Sequence, residues 1–211
     1  KFLFGTEEAL IRVDMSDYME KQNASRLVGA PPGYIGYEEG GLLTEQVRQH
    51  PYSVVLLDEI EKAHHDIYNL LLQLLEEGEL KDNLGHTVSF KNTVVIMTSN
   101  AGAREITAES RMGFSTAKEG IVPYNEIKSS AMEELKKIMS PELLNRIDDV
   151  IVFDALSKKQ IASILEIQIK ELEERLAEKS ISLALKPKAR EYLVEHGYEP
   201  SMGARPMRRL L

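Results

Sequence analysis

Residues 54–59 read Val-Val-Leu-Leu-Asp-Glu, a short apolar run that ends in two adjacent acids. Consecutive apolar residues rich in valine are typical of a strand that is buried on both faces of a parallel sheet. Such a strand needs helices over both faces, so this hexapeptide predicts an α/β core. Asp58 and Glu59 then lie at the carboxyl end of the strand, the edge at which α/β sheets place their ligands.

Further strand and helix patterns alternate along the first part of the chain, as a parallel sheet covered by helices requires. Three more apolar runs, at residues 9–14, 93–98 and 150–153, predict strands. Between the second and third strands, an apolar stripe at helical spacing predicts a helix that ends at Gly78. The members of that stripe are Ile67, Leu70, Leu71, Leu74 and Leu75. Residues 79–90 contain a turn signal and predict a hairpin or an ordered loop.

The last third of the chain reads as mostly helical. A helix is expected over residues 124–139, and a Ser-Pro pair at 140 and 141 is typical of the start of another. Residues 157–160 form a capping box that opens a long amphipathic helix. Residues 181–185 are expected to form a short strand and residues 187–196 a helix. We therefore expect a large domain over 1–153 and a small helical domain over 154–211.

Composition excludes several classes of function. The chain has 26 basic and 34 acidic residues, and a net charge of −8 disfavours docking on a nucleic-acid backbone. It contains no cysteine, so it has neither disulfides nor thiolate metal sites. No apolar run approaches the length of a membrane span. Neither nucleic acid nor a membrane is therefore an expected partner.

The acid pair matches the Walker B pattern of nucleotide-hydrolysing ATPases. In that reading the strand end holds Asp58 near a nucleotide-bound Mg²⁺, and Glu59 polarises the attacking water. Alternatively, the acids belong to a charged helix start, where negative side chains are common. The phosphate-loop pattern Gly-x-x-x-x-Gly-Lys-Ser/Thr, which holds the phosphates, occurs nowhere in the chain. We therefore interpret the chain as part of an ATPase.

Three more polar residues are candidates for the same site. Asn100 follows an apolar strand, where its amide could orient water or contact a γ-phosphate; alternatively, it forms a turn. Arg146 could stabilise phosphoryl-transfer charge from a neighbouring subunit; alternatively, it pairs with Asp148 or Asp149. Arg205 could reach phosphate from the helical domain; alternatively, it is a surface arginine at a helix start.

The order of these motifs resembles the second ATPase module of Clp-type AAA+ protein unfoldases, especially the ClpC and ClpA branch, over nearly the whole chain. Five segments carry the resemblance: 25–37 (axial pore loop), 56–64 (Walker B), 98–100 (sensor 1), 145–146 (arginine finger) and 203–206 (sensor 2). The resemblance implies an AAA+ parallel-sheet core with a small helical lid, and ATP and Mg²⁺ as cofactors. Because the family places its first strand and phosphate loop upstream of residue 1, the core is expected to lack both. The isolated chain is then expected to bind ATP weakly or not at all.

The resemblance also assigns a substrate-gripping segment. Tyr34 and Ile35 would contact an unfolded polypeptide, and Gly33 and Gly36 would allow the loop to move. Alternatively, the segment is a Pro-Pro-Gly turn whose tyrosine packs on its own domain. The hairpin at 79–90 would be a second pore element.

The tripeptide Met112-Gly113-Phe114 resembles the motif by which protease-partnered members dock on the ClpP peptidase ring, although methionine departs from the usual first residue. Alternatively, it belongs to an ordinary surface loop. The implied assembly is a homo-hexamer that threads unfolded proteins into a ClpP-type peptidase, with adaptor proteins, in the bacterial cytoplasm or the plastid stroma. A protease-independent disaggregase and a non-catalytic interaction fragment are the alternatives.

Overall fold

The computed structural model of the chain describes residues 1–29, 40–100, 124–153, 156–199 and 202–211, and it divides into two units. The described residues of the first unit are 1–29, 40–100 and 129–150. Those of the second are 124–128, 151–153, 156–199 and 202–211. The domain bounds expected from the sequence, 1–153 and 154–211, stay a prediction.

A parallel sheet forms the centre of the first unit. The strands of the described residues are β1 (Leu10–Asp14), β2 (Val54–Asp58), β3 (Glu79–Lys81), β4 (Thr87–Ser89) and β5 (Val94–Met97). β2 lies between β1 and β5 and is parallel to both, whereas β3 and β4 form a separate antiparallel hairpin. The register pairs Asp14 with Asp58, so both strands end at the same level. The strands predicted over 9–14, 53–57 and 93–98 are confirmed, as is the hairpin.

The helices of the described residues cover this sheet or build the second unit. They are α1 (Lys21–Ser25), α2 (Leu42–Gln49), α3 (His65–Glu77), α4 (Tyr124–Ile138), α5 (Pro141–Leu144), α6 (Lys158–Ala177), α7 (Pro187–His196) and α8 (Met207–Leu210). α3 confirms the predicted apolar stripe, and it ends where Gly78 adopts a φ of 68° and its N–H donates to Leu74 O. Among the described residues, no helix is both long and apolar enough to cross a bilayer.

Each unit has its own hydrophobic core. In the first unit, β1, β2 and α3 bury their apolar faces together, and Val55 and Leu57 of β2 are at most 1% exposed. In the second unit, α6, α7 and α8 pack around Leu165 and Met207. α6 begins with the predicted capping box, in which Ser157 and Gln160 exchange side-chain and backbone hydrogen bonds.

Two predicted strands are wrong: residues 150–153 and 181–185 are described and form no strand. In the first segment Ile151 is 71% exposed and Phe153 is 88% exposed. β5 pairs only with β2 in the described sheet, and no strand lies beside residues 150–153 to complete their backbone hydrogen bonds. In the second segment Leu183 and Leu185 pack on the second core without a strand ladder. An apolar run forms a strand only where a neighbour supplies the ladder.

Candidate functional site

The carboxyl ends of the three parallel strands meet at one edge of the sheet. Asp58 is the last residue of β2, and Asp14 of β1 lies opposite it in the strand register. Thr98 comes directly after β5, and its N–H donates to Leu57 O at 3.0 Å. Strand pairing alone thus places the carboxylates of Asp14 and Asp58 and the hydroxyl of Thr98 side by side.

Thr98 joins the two residues of the acid pair. Its hydroxyl donates to Oδ1 of Asp58 at 2.5 Å and accepts from the backbone N–H of Glu59 at 3.0 Å. The other carboxylate oxygen of Asp58 accepts from Arg12 Nη2 on β1 at 2.5 Å. Thr98 lies in the sensor 1 segment 98–100, but no role was predicted for it, and Arg12 was not singled out. The available signal was a hydroxyl directly after one predicted strand and a cation within another.

Glu59 has an unusual backbone conformation. Its φ of 57° and ψ of 51° lie in the left-handed region, which costs a residue other than glycine about 1–2 kcal/mol. Such a conformation persists where the surroundings determine it. Here the N–H groups of Glu59 and Ile60 are both bonded to Thr98, the second through Thr98 O at 2.9 Å. The sharp turn directs the chain from β2 into a 3-10 turn over Ile60–Lys62.

The Glu59 carboxylate is held by two donors. It pairs with Lys62 Nζ and accepts from Ser16 Oγ at 3.1 Å. The hydrogen bond from Lys62, and next that from Ser16, lowers the pKa of Glu59. Glu59 is therefore ionised at neutral pH, the state in which a carboxylate can accept a proton from water. Lys62 lies in the Walker B segment 56–64, but no role was predicted for it, and Ser16 was not singled out.

Asn100 is brought to the same edge through its backbone. Its N–H donates to Glu61 Oε1 at 3.1 Å, and its side chain is exposed. The second carboxylate oxygen of Glu61 is buried and makes no hydrogen bond within the described part of the chain. Glu61 therefore ties the segment after β5 to the 3-10 turn after the acid pair. Glu61 also lies in the Walker B segment 56–64, but no role was predicted for it.

Two predicted arginines lie apart from this edge or in the other unit. Arg146 Nη2 contacts Glu76 Oε1 at 2.7 Å, so its partner is Glu76 and not the expected Asp148 or Asp149. Glu76 is near the end of α3, about 16 Å along the helix from its first residue. Arg146 is thus at the end of α3 remote from the acid pair. Arg205 is an exposed residue of the second unit.

Two other predicted segments lie outside the described residues. These are the pore-loop residues Gly33, Tyr34, Ile35 and Gly36, and the docking tripeptide Met112, Gly113 and Phe114. Their assignments rest on the sequence alone and stay predictions.

The donor set at the strand edge fits a hard divalent cation. Carboxylate oxygens are the ligands that Mg²⁺ prefers, and Asp58, whose side chain is 24% exposed, would offer Oδ2 in exchange for its contact with Arg12. Glu59, a candidate for handling water, follows Asp58 directly, and the Asn100 N–H is bonded to Glu61. The residues present therefore fit the part of a nucleotide site that holds the metal ion and activates water.

Comparisons with known proteins identify the two parts of the chain. Residues 1–150 match the family "AAA domain (Cdc48 subfamily)", and residues 156–211 match the "C-terminal, D2-small domain, of ClpB protein". The ATP-binding subunit ClpC of an ATP-dependent Clp protease from Staphylococcus epidermidis is 51% identical over 209 residues, covering 99% of this chain and 26% of that protein. The chaperone protein ClpB of Oceanobacillus iheyensis is 52% identical over 207 residues, covering 98% and 26%.

A solved structure agrees with these matches. The closed-state cryo-EM reconstruction of Hsp104:ATPyS and FITC casein superposes with a TM-score of 0.83 at 41% identity, covering 99% of this chain and 35% of that one. The chain spans about a quarter of the length of its curated relatives. The predicted α/β fold and the resemblance to a second Clp ATPase module are confirmed. The chain belongs to the AAA+ family, with an AAA domain over 1–150 followed over 156–211 by a small domain of the ClpB D2 type.

Proposed function

We propose that this chain is part of an ATP-driven Clp ATPase that unfolds proteins. The observation that supports this most directly is the shared anchoring of Asp58 and the Glu59 backbone by the Thr98 hydroxyl. Strand pairing and one side chain thereby position Asp58 and Glu59 together, as a Mg²⁺ ligand and a water-activating base would require. Positioning and electrostatics are the main contributions that a protein makes to phosphoryl transfer.

Each residue at the edge then has a role. Bound ATP with Mg²⁺ would supply an electrophilic γ-phosphoryl group. Asp58 would hold the metal, and Glu59 would accept a proton from the attacking water at its carboxylate. The Asn100 amide would orient that water, in a position determined by the bond from its N–H to Glu61. The pair with Lys62 lowers the pKa of Glu59, which is ionised at neutral pH.

Arg146 is suited to act on a neighbouring subunit of a homo-hexamer. Its side chain is 50% exposed at the end of α3 remote from its own acid pair. A half-exposed ion pair such as that of Arg146 with Glu76 contributes about 0–1 kcal/mol to stability. Arg146 can therefore leave Glu76 for a phosphate oxygen at little cost. Arg205 would contact phosphate from the small domain. Both assignments follow from the family resemblance and the exposure of these side chains.

The work done with ATP would be the threading of unfolded polypeptide. Tyr34 and Ile35 would grip the substrate in the hexamer pore, and Met112, Gly113 and Phe114 would dock on a ClpP-type peptidase. The ClpC relatives, which are named as ATP-binding subunits of a Clp protease, support this version. Adaptor proteins would select substrates, in the bacterial cytoplasm.

A protease-independent chaperone is the second candidate. The ClpB relative matches the chain as well as ClpC does, and the small domain matches the ClpB type. The comparison structure contains casein together with Hsp104, which fits a module that acts on polypeptides. Co-sedimentation of the longer protein with a ClpP-type peptidase separates the two candidates. Binding that Phe114→Ala abolishes supports the protease-linked form, and no binding supports the chaperone.

ATP hydrolysis tests the proposal itself. The assay compares the 211-residue chain with a version extended upstream through a phosphate loop, each with Glu59→Gln and the matched control Glu77→Gln. We expect turnover only in the extended protein, and a loss of about 100-fold or more in Glu59→Gln. Glu77→Gln, an exposed acid at the end of α3, should leave turnover unchanged. An extended Glu59→Gln protein as active as the control would refute the proposed role.

A further inference from the structure

Three metal-ligating side chains meet at the start of α3. One ligand atom from each of His64, His65 and Asp66 lies within 4.8 Å of the other two. The distance from His65 Nε2 to Asp66 Oδ1 is 3.0 Å, and that from His64 Nδ1 to Asp66 Oδ2 is 3.6 Å. Within the described ranges, this is the one group of three such residues that could share an ion.

The backbone explains why two consecutive histidines point to the same place. Successive residues inside a helix project about 100° apart and do not normally share a ligand. His64, however, precedes the helix with an extended φ of −60° and ψ of 145°, whereas His65 is its first helical residue. The change of conformation between them brings the two rings to a centroid distance of 4.1 Å.

The spacing and the chemistry of these atoms suit a transition metal. Ligand atoms about 2.0–2.1 Å from a tetrahedral ion are about 3.3 Å from one another. The two distances to Asp66, each to a different carboxylate oxygen, lie on either side of that value, and one ligand atom from each of the three residues lies within 4.8 Å of the others. Two imidazole nitrogens and one carboxylate oxygen favour Zn²⁺, Cu²⁺ or Ni²⁺ over Mg²⁺ or Ca²⁺. We propose that His64, His65 and Asp66 form a binding site for such a dication, Zn²⁺ first, with the remaining positions open to water.

The site is accessible and partly organised before an ion arrives. His65 is 75% exposed, whereas His64 is 19% exposed. The Asp66 N–H donates to His64 Nδ1 at 3.3 Å, so the His64 ring is already turned toward Asp66. That contact is long, and an ion bound at Nδ1 would replace it at small cost.

The site is separate from the acid pair but mechanically connected to it. The His64 N–H donates to Tyr18 O at 2.9 Å, and Tyr18 ends the 3-10 turn that contains Ser16, a donor to Glu59. A bound ion would stiffen the segment between the acid pair and α3. The metal site itself does not depend on the proposed ATPase function.

Calorimetric titration of the 211-residue chain with ZnCl₂, without nucleotide, tests the proposal. The variants are His65→Ala and Asp66→Asn, and the matched control is His50→Ala, which removes an exposed histidine outside the cluster. We expect one Zn²⁺ per chain, with affinity reduced about tenfold or more by either cluster variant and unchanged in the control. Circular dichroism checks that each variant is folded.

Electron paramagnetic resonance with Cu²⁺ identifies the ligands independently. The wild-type chain should show hyperfine coupling to two imidazole nitrogens, and His65→Ala should show one. Equal Zn²⁺ affinity in the wild type and His65→Ala would overturn the proposal, as would the absence of saturable binding. Binding that persists in His65→Ala and disappears in Asp58→Asn would place the ion at the strand edge instead, and would also overturn it.

Discussion

The left-handed backbone at Glu59 predicts a stability difference between two variants that both lack its carboxylate. Glu59→Gly and Glu59→Ala lose the same contacts to Lys62 and Ser16, so those losses cancel in the comparison. What remains is the conformation itself, with φ at 57°. Glycine adopts that region without a steric penalty, whereas alanine does not.

The magnitude follows from two opposing terms. Relief of the left-handed conformation favours glycine by about 1–2 kcal/mol. The greater freedom of glycine in the unfolded chain opposes this by about 0.4–1 kcal/mol. These terms leave a difference of about 0–1.6 kcal/mol, centred on about 0.8 kcal/mol, so Glu59→Gly should be more stable than Glu59→Ala by about 2–3 °C in Tm for a chain of this size. Neither variant should support ATP hydrolysis in the extended protein.

Urea unfolding followed by circular dichroism measures the difference between the two variants. Ser180 is a matched control, because it also has a φ of 57° and lies in the second unit, after α6. The free energy of unfolding of Ser180→Gly should be higher than that of Ser180→Ala by a similar amount. Neither Ser180 variant should affect ATP hydrolysis. If Glu59→Ala is as stable as Glu59→Gly or more stable, while the two Ser180 variants differ as expected, the backbone at Glu59 is not strained and the reasoning is wrong.

Three further predictions concern the same unit. Thr98→Val removes the hydroxyl that bonds to Asp58 and Glu59, and should lower the free energy of unfolding by about 1–3 kcal/mol, measured in urea. Leu143 is fully buried where α5 packs on α3, and Leu143→Ala leaves a cavity there. It should lower the free energy of unfolding by about 2–5 kcal/mol in the same assay. A loss below about 1 kcal/mol would show that the surrounding residues collapse into the cavity. Because Lys62 lowers the pKa of Glu59, the stability that this pair contributes should be present at neutral pH and lost as pH falls through the lowered value. Lys62→Met should raise the pKa of Glu59 in a carbon-13 NMR titration, and an unchanged midpoint would contradict the assigned cause.

Local patterns in the sequence were sufficient for the elements and for part of the site. An apolar run followed by two acids predicted β2 and its position in a parallel sheet, and Gly78 predicted the end of α3. Both signals depend on a few adjacent residues, because strand burial and helix termination are local properties. The acid pair and the Asn100 segment were identified from the same patterns.

The contacts of the supporting residues could not be predicted in this way. Thr98 is 40 positions from Asp58 and Arg12 is 46, and they meet only because parallel pairing brings their strands beside β2. The left-handed turn at Glu59 has no glycine that would mark it in the sequence, and tertiary hydrogen bonds stabilise it. The same dependence on distant partners explains why the strand predicted at 150–153 is wrong. Among the described residues, no strand pairs with this apolar run.

The sequence by itself therefore determined which residues could form strands and helices and which acid pair is the candidate site, since composition and period act over short distances. Only the tertiary structure decided which side chains surround that pair and which apolar run remains outside the sheet. Both outcomes require backbone partners from distant parts of the chain, and hydrogen-bond pairing between strands is settled when the sheet assembles.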